Sequence, residues 1–294
     1  MGDVNFLLLE LLLAPSLILA SSLAQQRWGQ RIGGLIVGLP LTSLPLLMLL
    51  SLAQGAHFSA AAADASLEAS VAQALLIWMY VAVARRHGVL ASLAASAGAF
   101  GLGVAVLYAT PTWPPLLSLS IGIASYLGAL RWWPQPADHG SAKCIPAPQL
   151  TVSSAGEAAS DAAGLTGPGR GLRLRYRLAI RMVIAALFAS ILIGTSGILG
   201  SQLSGLVSAF PVLTFVMGGL THSEDGETEV ADFLYGVTRG SFAVVTSLFT
   251  LAVTLPSGNL VEAFGLATLT AVATQGLTSL SRGSHLANEV MVEA

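Results

Sequence analysis

The chain has 294 residues, a net charge of −2, and a composition that is 54% hydrophobic and only 10% charged. Soluble domains carry roughly 25% charged residues, so this composition excludes an ordinary water-soluble domain and indicates a membrane protein. The single cysteine, Cys144, excludes an intramolecular disulfide and a multi-thiolate metal site within one chain.

Nine segments are apolar and long enough to cross a bilayer core of about 30 Å. The predicted spans are 4–24, 33–53, 61–83, 89–109, 113–133, 178–198, 203–221, 232–254 and 260–280. The N-terminus lacks the cationic region of a signal peptide, so we interpret the first segment as a retained span. The sequence therefore predicts an all-α polytopic membrane protein with about nine transmembrane helices.

The cationic residues are concentrated in alternate loops. Twelve of the thirteen lie there or at the ends of the adjoining spans, namely Arg27, Arg31, Arg85, Arg86, Arg131, Lys143, Arg170, Arg173, Arg175, Arg177, Arg181 and Arg282, and the thirteenth, Arg239, lies within the eighth predicted span. The loops near Gly55, Pro111, Ser201 and Pro256 contain no Lys or Arg. Because cationic loops stay in the cytoplasm, this pattern predicts an external N-terminus and a cytoplasmic C-terminus. The connector after the seventh span should then be cytoplasmic, although it is acidic.

Residues 134–173 form a segment of different composition, rich in Pro, Gly, Ser and Ala without apolar periodicity. Such a segment cannot bury enough surface to fold, so it is predicted to be a disordered cytoplasmic linker. The Arg-rich stretch 170–181 at its end is interpreted as a positive-inside anchor for the next helix. Attraction to anionic lipid headgroups is the alternative.

Two parts of the sequence match without gaps at a spacing of 171 residues. Gly34-Leu35 and Pro40 align with Gly205-Leu206 and Pro211, and Gly55 aligns with Gly226. The match predicts a first four-helix unit at 1–110, a linking helix at 111–133 and a second unit at 174–294. Equivalent helices are five spans apart, so the second unit is predicted to be inverted in the membrane, as in many secondary transporters.

Two short segments carry a family resemblance. Residues 204–215, SGLVSAFPVLTF, resemble the GlpM-like family of small four-span bacterial membrane proteins, and residues 33–44, GGLIVGLPLTSL, resemble related small four-span proteins. The resemblance covers about a third of the chain. It implies a fused tandem of such units in a bacterial inner membrane. It implies no established activity and no catalytic residues.

Glycine and proline interrupt the second and seventh spans. The residues are Gly34, Gly38 and Pro40 in the first unit and Gly205 and Pro211 in the second. Proline removes a backbone donor, and interruptions at matching positions of two halves indicate a binding site near the bilayer midplane. The alternative is that glycine permits close helix packing and proline only kinks the helix.

Charged residues inside the spans are the second set of candidate residues. Asp64 and Glu68 share one face of the third span, and Arg239 occupies the position equivalent to Glu68. Since a charge at this depth costs on the order of 3 kcal/mol, we expect partners. One hypothesis pairs Glu68 with Arg239, with Glu68 binding a proton or a cation. In the alternatives, Arg239 reaches the cytoplasm or pairs with Asp232.

The acidic loop 222–229 is interpreted as a solvated connector, since its spacing lacks the order of a calcium-binding loop. No nucleophile elbow, zinc-protease helix, Walker loop or dinucleotide fingerprint is found. We therefore expect no enzymatic activity, no cofactor, no metal and no nucleic-acid partner, and the bilayer as the principal environment.

Three functions follow from these observations. The one favoured is a small-molecule permease with its path between the two units and an unknown substrate. The second is a membrane scaffold or accessory protein that transports nothing, for instance in envelope assembly. The third, an intramembrane enzyme, has no recognisable chemistry in the sequence. A polar cavity at the broken helices would favour transport, and an interior filled by Leu and Ala would favour the scaffold.

Overall fold

A computed structural model describes residues 27, 29–40, 43–134, 200–257 and 259–292, with side chains described as far as residue 278. The predicted spans at 4–24 and 178–198 lie outside these residues, as do Cys144, the Arg-rich stretch and nearly all of the predicted linker. Every regular element in the described part of the chain is helical, which confirms the all-α prediction.

The described ranges contain ten α-helical segments. In chain order they are α1 (Gln30–Val37), α2 (Ser43–Gln54), α3 (Ala56–Glu68), α4 (Ser70–Ala84), α5 (Val89–Ala109), α6 (Pro115–Arg131), α7 (200–208), α8 (Val212–Glu224), α9 (Glu227–Thr254) and α10 (Leu260–Val292). A 3-10 turn, Leu255–Ser257, follows α9. Ala69 joins α3 and α4 into one nearly continuous helix.

Five stretches of the described chain are long and apolar enough to cross a membrane. They are Ala56–Ala84, Val89–Ala109, Gly200–Glu224, Glu227–Ser257 and Leu260–Thr278. These five correspond to the predicted third, fourth, seventh, eighth and ninth spans. The predicted second span is divided between α1 and α2, and the predicted fifth is the 17-residue helix α6. The count of nine stays a prediction.

The third and eighth spans begin earlier than predicted. Helix α3 begins at Ala56 and α9 at Glu227, each directly after a glycine with positive φ, Gly55 at 92° and Gly226 at 99°. Glycine adopts this backbone conformation without the steric cost that a side chain imposes. The glycine turn therefore sets where each helix starts, whereas the prediction followed the length of apolar sequence and placed the two starts at residues 61 and 232.

Two long helices form the centre of the bundle. They are Ala56–Ala84, which comprises α3 and α4, and Glu227–Ser257, which comprises α9 and its final turn. In the apolar 18-residue segment of each, 61% and 56% of the residues are buried, whereas the figure is 17% for both α5 and α10. Helix α9 contacts α1, α3, α4, α6, α8 and α10. The interface is filled by small and branched apolar side chains, among them Ala62, Ala63, Leu67, Val237 and Val245, all fully buried.

The two central helices run in opposite directions. The turn Leu255–Ser257 at the end of α9 contacts α3, at the beginning of the other central helix. A Cβ added to Gly122 of α6 would contact both Ser70 and Val245, so these two residues flank the same position. Helix α6 thereby packs against α3, α4 and α9 together.

Helix boundaries recur at the spacing found in the sequence. The described residues contain four glycines with positive φ, namely Gly29, Gly55, Gly200 and Gly226, and these form two pairs that are each 171 residues apart. Helices α5 and α10 begin at Val89 and Leu260, at the same spacing. Two parts of the chain therefore share the same order of turns, breaks and helices.

Candidate functional site

The two broken helices have equivalent backbone hydrogen bonds. Helix α1 ends at Val37 and α2 begins at Ser43, while α7 ends at residue 208 and α8 begins at Val212. Leu44 N donates to Pro40 O at 3.2 Å, and Phe215 N donates to Pro211 O at 2.9 Å. Both prolines therefore stand just before a new helix, where the missing N–H costs least.

Gly34 and Gly38 bring α1 into backbone contact with α9. A Cβ on Gly34 would overlap the carbonyl oxygen of Phe233, and a Cβ on Gly38 would lie 2.8 Å from the Cα of Gly240. In return, a Cβ on Gly236 would overlap the carbonyl oxygen of Arg31. Four glycines, two at a spacing of four on each helix, thus allow this close crossing. The spacing of Gly236 and Gly240 is visible in the sequence, although we did not predict their role.

A second crossing joins α7 to α3. A Cβ on Gly205 would overlap the carbonyl oxygen of Ala62. Ser66 Oγ donates to Gly205 O at 2.8 Å and lies 3.0 Å from Ser208 Oγ. Each broken helix therefore packs against the central helix of the other half of the chain. The contacting residues of the two crossings, Gly34 with Phe233 and Gly205 with Ala62, are related by the spacing of 171.

Glu68 is fully buried at the junction of α3 and α4, with 1% of its surface exposed. Trp113 N, in the turn before α6, donates to Glu68 Oε1 at 2.7 Å. Asp64 lies one helical turn earlier, and its Oδ1 is buried without a hydrogen-bond partner among the described residues. Sequence reasoning identified both carboxylates but missed Trp113, whose backbone N–H gives no sequence signal.

Arg239 lies on α9 and donates from Nη2 to the carbonyl oxygen of Thr278 on α10. Glu68 and Arg239 thus have different hydrogen-bond partners, Trp113 just before α6 and Thr278 within α10. Asp232, the other partner considered for Arg239, pairs with Arg31. The structure therefore brings together Asp64 and Glu68, and it brings the glycines of each broken helix against the opposite central helix. Pro40 and Pro211 lie at the breaks themselves.

A polar cluster closes the end of the bundle where α1 and α9 begin. Arg31 Nη2 lies 2.8 Å from Asp232 Oδ1, and its guanidinium carbon lies 5.4 Å from the centroid of the Tyr235 ring. The ring of Trp133 packs edge-to-face against that of Tyr235, with the two centroids 5.4 Å apart. The hydrogen bond to Asp232 raises the pKa of the Arg31 guanidinium.

The acidic loop is packed against the first half of the chain. Gln30 Nε2 donates to Asp225 Oδ2 at 3.0 Å, and Tyr80 Oη lies 3.3 Å from His222 Nδ1. No group of metal-ligating side chains occurs within the described ranges. Five of the eight residues of the loop are exposed, as in the solvated connector that we predicted, and the loop makes these two contacts in addition.

Comparison with protein-family models, with curated proteins and with solved structures found no match. The fold and the site define the protein as an all-helical chain with several helices that are apolar and long enough to span a membrane.

Proposed function

We propose that the chain is a small-molecule permease built from two inverted four-helix units, with the path along the two broken helices. The single observation that carries this proposal is the reciprocal crossing: α1 packs on α9, and α7 packs on α3, through equivalent glycines. Two-fold related repeats with broken helices are the architecture of many secondary transporters. The short resemblance to GlpM-like four-span proteins agrees with a fused tandem of such units.

Helix directions support the inversion. Helix α9 and its counterpart α3–α4 run in opposite directions. Arg31 pairs with Asp232 near the start of both α1 and α9, so these two helices are parallel. Helices α7 and α3 are also parallel, because Gly205 contacts Ala62 and Ser208, further along α7, contacts Ser66, further along α3. Equivalent helices of the two units are thus opposed, as inversion requires.

We place the protein in a bacterial inner membrane with the Arg31 end in the cytoplasm. The acidic loop gave the positive-inside rule no support. In this arrangement it lies at the Arg31 end, because Asp225 of the loop contacts Gln30, and Asp232, three residues beyond the loop, pairs with Arg31. The carboxylate of Asp225 therefore has a partner at the cationic end of the bundle. Helices α5 and α10 then begin at opposite faces, at Val89 and Leu260.

Transport in this scheme is a relative movement of the two units about their glycine contacts. The breaks at Gly38–Pro40 and at Pro211 provide the flexible points, and Glu68 with Asp64 supplies carboxylates that bind a proton or a cation. Arg239, on the equivalent position of the second unit, supplies the opposite charge toward the cytoplasmic end.

The test is flux in proteoliposomes that contain the purified chain. Movement of K⁺, H⁺, chloride and glycerol would be followed with electrodes, a pH dye and light scattering. We expect flux of at least one solute above that of empty liposomes, and a lower rate for Pro40→Ala and Pro211→Ala. Absence of flux for every solute, with correctly folded protein, would contradict the permease.

A specific observation favours the scaffold as a second candidate. The interface between the central helices is filled by fully buried side chains such as Ala62, Ala63 and Val237. A packed apolar interface is what a protein that transports nothing needs. If the protein is a scaffold, we expect no flux in the proteoliposomes, and the proline substitutions should change only its stability. The same experiment therefore distinguishes a scaffold from a permease.

A further inference from the structure

Two equivalent serines lie at the midpoints of the two central helices. Ser70 and Ser241 are 171 positions apart, and each is the fifteenth residue of its apolar stretch, which has 29 residues in Ala56–Ala84 and 31 in Glu227–Ser257. Both serines are buried, with 1% and 0% of their surface exposed. Transporters built from inverted repeats hold their substrate near the bilayer midplane, at the interface of the repeats. The two serines therefore occupy the depth at which the proposed permease would bind its substrate.

Both broken helices end close to these serines. A Cβ on Gly38, the residue after α1, would lie 2.8 Å from the Cα of Gly240, which precedes Ser241. Ser208, the last residue of α7, contacts α3 one helical turn before Ser70. The proposed path along the broken helices thus passes the two serines where those helices are interrupted.

A third hydroxyl group reaches the same level from the linking helix α6. Tyr126 is fully buried, and its hydroxyl group faces Ser241. One turn earlier on α6, a Cβ added to Gly122 would lie 2.6 Å from Ser70 Oγ. We call Ser70, Tyr126 and Ser241 the hydroxyl cluster. Its three members come from the first unit, the linking helix and the second unit, so the cluster lies between the units.

Two of the three hydroxyl groups have no hydrogen-bond partner in the described part of the chain. They are Ser70 Oγ, and Tyr126 Oη, which faces Ser241 without forming a hydrogen bond to it. A buried serine in a helix commonly donates to a carbonyl oxygen one turn earlier, as Ser241 does to Val237 O at 2.9 Å. Ser70 Oγ lies against α6 instead. Because a buried hydroxyl group gives up its hydrogen bonds to water, these two unpartnered groups indicate a polar ligand between the helices.

The surroundings of the hydroxyl cluster favour a neutral ligand. The nearest charged residues along the two central helices, Glu68 and Arg239, bond to the turn before α6 and to α10. Apolar side chains border the cluster, with Val245 against α6 and the Phe242 ring 5.8 Å from that of Tyr126. An ion at this depth without an opposite charge is costly, whereas hydroxyl groups can both donate to and accept from a neutral solute.

We propose that the hydroxyl cluster binds a small neutral solute that both donates and accepts hydrogen bonds, and that this solute is the substrate of the permease. The inference rests on the proposed function and names its substrate class. Three hydroxyl groups on three helices suit a ligand with several polar groups, such as a polyol or an amide. Since α6 packs closely on Ser70 at Gly122, the solute enters when the two units move relative to each other.

The test measures uptake of glycerol and urea by proteoliposomes of the purified chain, followed by light scattering. Ser70→Ala and Tyr126→Phe each remove one hydroxyl group and add no volume. We expect uptake about fivefold to tenfold slower than for the unchanged chain, as the loss of one hydrogen bond to a solute gives. Ser96→Ala and Tyr108→Phe are the matched controls and should keep the rate, because Ser96 bonds within α5 and Tyr108 is exposed.

Thermal melting distinguishes a substrate site from a structural contact. Because neither hydroxyl group bonds to the described protein, we expect Ser70→Ala and Tyr126→Phe to melt no lower than the unchanged chain, and either variant decides the test if the other fails to fold. Unchanged uptake in the folded variants would overturn the proposal. A lowered melting temperature alongside unchanged uptake would show that the hydroxyl groups serve stability through a bound water only, which also overturns it.

The solutes that move separate this proposal from the permease itself. Flux of K⁺, H⁺ or chloride without uptake of glycerol or urea would overturn the neutral-solute site and leave the permease. No flux of any solute would overturn both.

Discussion

Gly34 and Gly205 make the same contact with opposite halves of the chain. A Cβ on Gly34 would overlap the carbonyl oxygen of Phe233, and a Cβ on Gly205 would overlap that of Ala62. Gly34 and Gly205 are 171 positions apart in the sequence, and so are Ala62 and Phe233, the residues whose carbonyl oxygens they approach. The two-fold relation between two units that we propose would produce an exchange of this kind.

The glycine crossing predicts a position-dependent cost of added methyl groups. Gly236→Ala places a Cβ on the carbonyl oxygen of Arg31, so α1 and α9 must separate. We expect a loss of about 1–3 kcal/mol, as for overpacked cores, visible as a lower melting temperature in detergent. Gly101→Ala is the control, since its Cβ would have open space around it. Equal melting temperatures for the two variants would refute this crossing.

Glu68 is predicted to hold the turn before α6 in place. Glu68→Ala leaves Trp113 N without its acceptor in a partly buried position, which costs about 1 kcal/mol or more. Glu68→Gln keeps a carbonyl oxygen and should retain most of the stability. Thermal melting of both variants checks whether Glu68→Gln is more stable than Glu68→Ala. If Glu68→Gln is as unstable as Glu68→Ala, the hydrogen bond alone does not explain the stability of this turn, and the charge of Glu68 is needed as well.

The pair of Arg31 and Asp232 is predicted to contribute little to stability. Their side chains are 50% and 39% exposed, so water screens the attraction and the pair is worth about 0.2–1 kcal/mol. Asp232→Asn should lower the melting temperature slightly at low salt and not at all at high salt. Glu229→Gln, an exposed position on the same helix, provides the comparison. A loss that persists unchanged at high salt would mean that the pair is effectively buried.

Local sequence signals predicted the breaks and the helix order. Proline at 40 and 211 and glycine at 55 and 226 act on their own backbone, so a single sequence shows them. Which helices touch depends on the whole bundle, and the sequence therefore did not show that Trp113 meets Glu68. Nor did it show that the acidic loop docks against Gln30, because an exposed carboxylate and a paired one look alike in sequence.

The contact between α9 and α10 illustrates the same distinction. Threonines recur every four residues in both helices, yet only the structure brings Thr250 Oγ1 to within 3.1 Å of Thr270 Oγ1. Conversely, Glu68 and Arg239 align at the spacing of 171, and the fold gives them separate partners, because aligned positions need not touch.

The measurement that tests the inverted arrangement most directly is the sidedness of two equivalent loops. In a Cys144→Ser background, His87→Cys in the loop after α4 and Ser257→Cys in the turn after α9 are both at exposed positions. Each would be treated with a membrane-impermeant thiol reagent on intact cells, and again after permeabilisation to confirm that it can react. We predict that intact cells label residue 257 and not residue 87. Labelling of both, or of neither, would place the two loops on one side and contradict the inversion.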